Sequence, residues 1–333
     1  MKNDNVYTEM ANKLNQPNSK ILIKILRKLI SPVDAKLLLM LPAELSTLSK
    51  QSGLDENAVK QKLQEFLERG FVFPTSKGLQ FARDTSQLHD ATLASADKWI
   101  DDELLNLWRE YHETEWIPST AQIPEGIHIQ RIKLLPALKS IKKSPGIAAA
   151  DFPPDEDIRM LINQADPIAV VPCSCRRSMR RCKKPVNICL QFNKSAKFHL
   201  DRKAGRKLTP NEAIDIAMQA EEEGLIHTWP VRSSGAFNEL CNCCHDCCVI
   251  FDGGLRYNNI DRILGKSRFR ATVDSAECTG CNDCVDRCFF GAIQMVRDPK
   301  TKNIIAAIDV GKCFGCGLCV VACPYDAMTM KLA

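Results

Sequence analysis

The first 172 residues contain no cysteine, although the 333-residue chain carries 17. They fall into three groups, at 173–189, 241–248 and 278–323, so a cysteine-free half precedes a cysteine-rich one. Other absences narrow the class. No apolar run reaches 18 residues. The most apolar N-terminal stretch, Ile21–Ile30, is broken by Lys24, Arg27 and Lys28, and reads as an amphipathic helix, not a membrane span. The opening MKNDNVYTEMANKLN lacks the apolar core of a secretory signal, so a cytoplasmic location is expected. In a reducing compartment cysteines are metal ligands or redox thiols before they are bridges. The patterns G-x-G-x-x-G and G-x-x-x-x-G-K-[ST] are missing, which leaves nicotinamide, flavin and nucleoside triphosphates no visible home. The C-x3-C-x2-C radical signature is missing too.

What is present is a globular composition, 45% hydrophobic and 26% charged, with length for two or three domains. The formal charge of +5 ignores deprotonated thiols and supports no inference about nucleic acid. Apolar spacing predicts helices over 21–30, 33–41, 43–52 and 55–69, with Ser31-Pro32 as a start and Gly53 and Gly70 as stops. Residues 71–73 and 79–81 read as two short strands. Three of these helices followed by the hairpin resemble a winged helix-turn-helix domain, which implies DNA binding; a dimerisation or docking module is the other reading. The segment 55–70 carries Lys60, Lys62 and Arg69 against Asp55, Glu56, Glu65 and Glu68, which argues against a major-groove helix. Trp99, Trp108 and Trp116 read as packing anchors, and His89, His112 and His128 as isolated histidines.

The strongest signal is C-terminal. Cys278-x2-Cys281-x2-Cys284-x3-Cys288 is followed by Cys313-x2-Cys316-x2-Cys319-x3-Cys323-Pro324. In such doubled runs the fourth cysteine ligates the other cluster. One [4Fe–4S] cluster is therefore expected on Cys278, Cys281, Cys284 and Cys323, and a second on Cys288, Cys313, Cys316 and Cys319. Gly280, Gly315 and Gly317 permit close backbone approach. A zinc ribbon would need two CxxC pairs instead. Residues 270–333 thus resemble the bacterial-type two-cluster ferredoxin family. One departure is Cys288-Phe289-Phe290, where that family usually has Cys-Pro.

Nine further cysteines lie upstream: Cys173, Cys175, Cys182, Cys189, Cys241, Cys243, Cys244, Cys247 and Cys248. Ile168–Val171 reads as a strand, and Thr209-Pro210-Asn211-Glu212 opens a helix with a capping box. CxCR, this helix and CNCCHDCC resemble the upstream module of dicluster iron–sulfur proteins of anaerobic microbes, a resemblance that spans about residues 20–333. The cysteine-rich CCG domain of heterodisulfide reductases ranks second, because its glycines are replaced by His245 and Val249. Nine thiolates exceed one cubane, so one or two additional iron–sulfur clusters are expected, with zinc or a cycling dithiol as the other readings. Twelve Lys/Arg against one acid between 173 and 207 are either a solvated face or a docking patch around Arg176, Arg177, Arg180, Arg181, Lys183 and Lys184.

The expected architecture is α+β and multidomain: a winged-helix-like domain (1–97), a helical connector (98–150), a cysteine-rich α/β metal-binding module (151–265) and a two-cluster ferredoxin domain (266–333). The expected function is one-electron transfer, as a subunit or partner of a larger anaerobic oxidoreductase and without catalysis of its own. The expected partner is a flavin- or nicotinamide-binding subunit or an acidic electron carrier, with self-association through the N-terminal domain. The alternatives are a DNA-binding redox sensor, and a reductase whose middle cysteines act on a disulfide or acyl substrate.

Overall fold

The computed structural model describes the chain except residues 1–3, 120, 121, 125, 131, 154, 155 and 231–237. It resolves into two compact units: 1–118 with 171–181 and 198–206, and 119–170 with 182–197 and 207–333.

The first unit is mainly helical. Its elements are α1 (Asp4–Lys13), α2 (Lys20–Leu29), α3 (Pro32–Leu39), α4 (Leu45–Ser52), α5 (Glu56–Arg69), β1 (Val72–Thr75), β2 (Gly78–Phe81), α6 (Thr85–Leu93) and α7 (Asp102–Tyr111). Capping sets the boundaries. The side chains of Ser19, Ser31 and Asp55 accept from Leu22, Asp34 and Ala58 amides, and Gly70 ends α5 in the left-handed region. Strands β1 and β2 pair antiparallel with Val72 opposite Phe81. The apolar faces close over Leu22, Leu26, Leu38, Leu48, Val59, Phe66 and Trp108, all but excluded from solvent.

The second unit is built on a seven-stranded sheet: β3 (Ile132–Leu135), β4 (Ile168–Pro172), β5 (Asn187–Phe192), β6 (Arg206–Leu208), β7 (Ile226–Pro230), β8 (Glu239–Cys243) and β9 (Leu264–Gly265), in the order β6-β4-β5-β8-β7-β3-β9. β8 lies in the interior, antiparallel to both β5 and β7. The helix Pro210–Glu222 begins with a reciprocal Thr209–Glu212 capping box. It sets Ala213 and Ala217 in one cluster with Leu190, Phe192 and Leu240. The C-terminal part pairs β10 (Phe269–Val273) with β13 (Met328–Leu332), and β11 (Ile293–Arg297) with β12 (Ile304–Ile308), both antiparallel.

The division departs from the boundaries expected from sequence. Residues 98–118 belong with the first unit, whereas 119–150 belong with the second and supply β3 to its sheet. Residues 171–181 also join the first unit, taking Cys173 and Cys175 with them. Ion pairs Arg177–Asp97, Arg180–Asp102 and Arg181–Glu113 hold that segment to α7 and its flanks. Within the described residues no helix is long and apolar enough to cross a membrane.

Candidate metal centres

Three closely spaced cysteines and a fourth from some forty residues farther on line one cleft in the C-terminal part. Cys278, Cys281, Cys284 and Cys323 surround about 320 Å³ of space with Met295, Ala306, Tyr325 and Met328. A second cleft, of about 350 Å³, is lined by Cys288, Cys313, Cys316 and Cys319 with Phe290, Ile293, Ile308 and Phe314. Each cleft brings together three cysteines of one run and the fourth cysteine of the other. Each x2 run ends in a short helix, Asp283–Asp286 or Leu318–Ala322, which turns the last cysteine of the run inward.

Backbone amides point at the sulfurs. Ala306 N donates to Cys278 Sγ and Ala292 N to Cys288 Sγ, each at 3.4 Å. Gly315 has φ +77°, and a Cβ there would collide with the Phe269 carbonyl, so only glycine lets β10 pass this loop. Burial pushes the Cys316 thiol up to about 12 and Cys284 to about 11, with neighbouring cysteines adding to the rise. Thiolates crowded here therefore need a cationic partner.

The nine upstream cysteines do not form one group. Cys173 and Cys175 lie in the first unit, at the start of the helix Ser174–Met179. In the second unit, Cys182, Cys244, Asp246 and Cys247 bring their ligand atoms within 4.8 Å of one another. Cys182 Sγ lies 4.0 Å from Cys244 Sγ and 3.7 Å from Cys247 Sγ. Burial acts to raise Asp246, but the Cys244 thiol, its own backbone amide, His245 and Lys184 outweigh it and hold the carboxyl below its ordinary value. A second set surrounds Cys243, which shares hydrogen bonds with Cys241 and Cys248 and lies 3.5 Å from Thr228 Oγ1. β5 pairs Leu190 with Leu240, so Cys189 and Cys241 are the next residues along that ladder. Adjacent thiols Cys243 and Cys244 thus serve different sets, because Cys243 ends β8 and Cys244 begins the turn after it.

A buried polar chain underlies the second set. Asn242 Nδ2 donates to the Ile188 carbonyl, and its Oδ1 lies 2.7 Å from His227 Nδ1. His227 Nε2 lies 3.1 Å from Glu221 Oε1, and the Glu221 carboxylate accepts from the amides of Leu138 and Lys139. Ala137 N in turn donates to the Cys316 carbonyl at 2.9 Å. Hydrogen bonds and one short stretch of backbone therefore connect β8 to the second quartet.

The residues singled out for docking are mostly engaged elsewhere. Arg176 is buried, and Arg177, Arg180 and Arg181 face Asp97, Asp102 and Glu113 within the first unit. Lys184 donates to the Glu223 carbonyl, and Lys183 is exposed. His89 and His112 are not isolated: their Nε2 atoms are 3.1 Å apart, both rings are fully buried, and Trp108 and Trp116 pack around them. Nothing in their spacing of 23 residues signals that pair; only the fold, which brings α6 beside the residues that follow α7, makes it.

Residues 265–327 match the family model described as a 4Fe-4S dicluster domain. No curated protein and no solved structure matches the chain. The chain therefore has a C-terminal ferredoxin-like iron–sulfur domain and, among the described residues, a separate cysteine cluster suited to a metal.

Proposed function

We propose that this protein is a one-electron transfer protein, with one [4Fe–4S] cluster held by Cys278, Cys281, Cys284 and Cys323 and another by Cys288, Cys313, Cys316 and Cys319. The observation that carries this reading is that each quartet lines its own cleft, inside the segment that matches a dicluster domain. Bound there, each cluster supplies a one-electron carrier. The chain's own residues set its surroundings. Amide donors to Cys278 and Cys288 Sγ favour the charged sulfurs, while Met295, Met328, Phe290 and Phe314 limit access of water.

The upstream thiols adjoin this domain. Cys243, Cys248, Phe251, Phe289, Phe290, Phe314 and Cys316 share one apolar cluster, a contact between the second cysteine set and the second quartet. In this reading the protein serves as a cytoplasmic subunit or partner of a larger anaerobic oxidoreductase. Its electrons come from or go to a flavin- or nicotinamide-binding subunit or an acidic carrier.

The alternative of a winged-helix DNA-binding sensor gains nothing from the charges on α5. Lys62 pairs with Asp34 and Glu65, Arg69 pairs with Glu65, and Lys203 covers Glu68. These cations are spent inside the first unit, whereas groove binding needs them for phosphate.

Purification without oxygen tests the reading. At least eight irons per chain are expected, with broad visible absorbance that dithionite bleaches. Fewer than four irons per chain would contradict it.

A further inference from the structure

We propose that Cys182, Cys244, Asp246 and Cys247 bind a single divalent metal ion of the zinc type, at a site separate from the iron–sulfur clusters. Size argues first. A tetrahedral ion with metal–sulfur bonds of about 2.3 Å holds its sulfurs about 3.8 Å apart. The observed separations are 3.7 Å for Cys182–Cys247 and 4.0 Å for Cys182–Cys244. A cubane instead carries its cysteines on the outside of a four-iron core, and so farther apart. The molecule provides its own comparison. Among the described residues this is the one group of three or more Cys, His, Asp or Glu donors that closes to within 4.8 Å. Neither ferredoxin quartet does so.

Chemistry argues second. Cys244-x2-Cys247 is the chelating pair used by structural zinc sites, and Cys182 approaches it from 62 residues away. Three thiolates select a soft or borderline ion over magnesium or calcium, and the Asp246 carboxylate completes four protein donors. Two of the cysteines are buried and the set is closed, which is the form of a structural site with no position left for substrate. Fixing Cys182 to the CHDC turn would hold the end of β8, and with it Cys241, Cys243 and Cys248, in place against the ferredoxin domain. The site thus accounts for four of the upstream donors without an iron–sulfur cluster, in contrast to the expectation from cysteine count.

The test is metal analysis of the full chain, purified without oxygen, as isolated and as Cys182→Ser and Cys247→Ser. The proposal expects one zinc per chain in the parent. Each variant should lose that zinc and keep the eight irons. Absence of zinc in the parent, or loss of about four irons in either variant, would overturn it. Should both variants fail to fold, zinc-edge X-ray absorption on the parent decides. Three sulfurs at about 2.3 Å and one oxygen at about 2.0–2.2 Å support the site, and a shell of nitrogen and oxygen alone refutes it. The outcomes separate from the electron-transfer reading: zinc absent with eight irons present removes only this site, and zinc present with iron absent removes only that reading.

Discussion

The His245 ring packs on the Phe289 ring with centroids 4.4 Å apart, joining the CNCCHDCC segment to the end of the first ferredoxin run. Its neighbour Phe290 stacks on Phe314 at 4.3 Å. The two phenylalanines thus occupy the place where two-cluster ferredoxins usually carry proline, and they supply an apolar face that proline could not.

Phe289→Ala should therefore loosen the upstream segment without emptying the clefts. The ring is half-buried, so the expected cost is about 1–2 kcal/mol, below the 3–5 of a fully buried phenylalanine. Denaturant unfolding without oxygen would read it as a lowered midpoint at unchanged iron content. An unchanged midpoint would show that the ring contact contributes nothing.

Cys281→Ser and Cys316→Ser should each disable one cleft. Iron should fall from eight to about four in each, and the surviving electron paramagnetic resonance signals of the two variants should differ. Loss of all iron in both would mean that the clefts do not load independently.

Gly315→Ala should be far more damaging than Gly53→Ala. Both glycines have positive φ, but a Cβ on Gly53 meets nothing within 4 Å, whereas one on Gly315 runs into the Phe269 backbone. The strained backbone alone costs about 1 kcal/mol, and the collision adds to that at Gly315 only. Comparing the thermal midpoints of the two variants checks the order.

The first unit should lose stability in mild acid. Burial holds His112 well below its ordinary value and lowers His199 to about 3, with His89 and Arg181 adding to the effect at His112 and Arg202 at His199. Above about pH 6.5 both residues are neutral whether folded or not, and they contribute no pH dependence. Below it the unfolded chain binds protons that the folded unit refuses, so stability falls from about pH 6.5 towards 3. Hydrogen exchange at the amides of α6 and α7 would follow the loss, and His112→Phe should reduce it to the part that His199 contributes.

The sequence makes legible whatever rests on local spacing. The cysteine runs mark the three thiols nearest in sequence at each cleft because a three-residue step is itself the geometry of the loop, whereas the fourth, Cys323 or Cys288, comes from the other run. Capping residues such as Ser31, Asp55 and Thr209 mark helix starts because their hydrogen bonds are made within three residues. Contacts between distant segments leave no such mark. Asp246 among the thiols, the His89–His112 pair and the chain from Asn242 through His227 to Glu221 all depend on strand order and helix packing. The basic stretch misleads for the same reason, since its partners Asp97, Asp102 and Glu113 lie 68–80 residues away.

The most direct test of the central claim is a reductive titration without oxygen, followed by electron paramagnetic resonance and iron analysis on the same sample. Two reducing equivalents per chain are predicted, taken up within the roughly −700 to +450 mV range open to such clusters, with eight irons present. A chain that holds eight irons but accepts no electrons in that range, or one that accepts electrons with fewer than four irons, would contradict it.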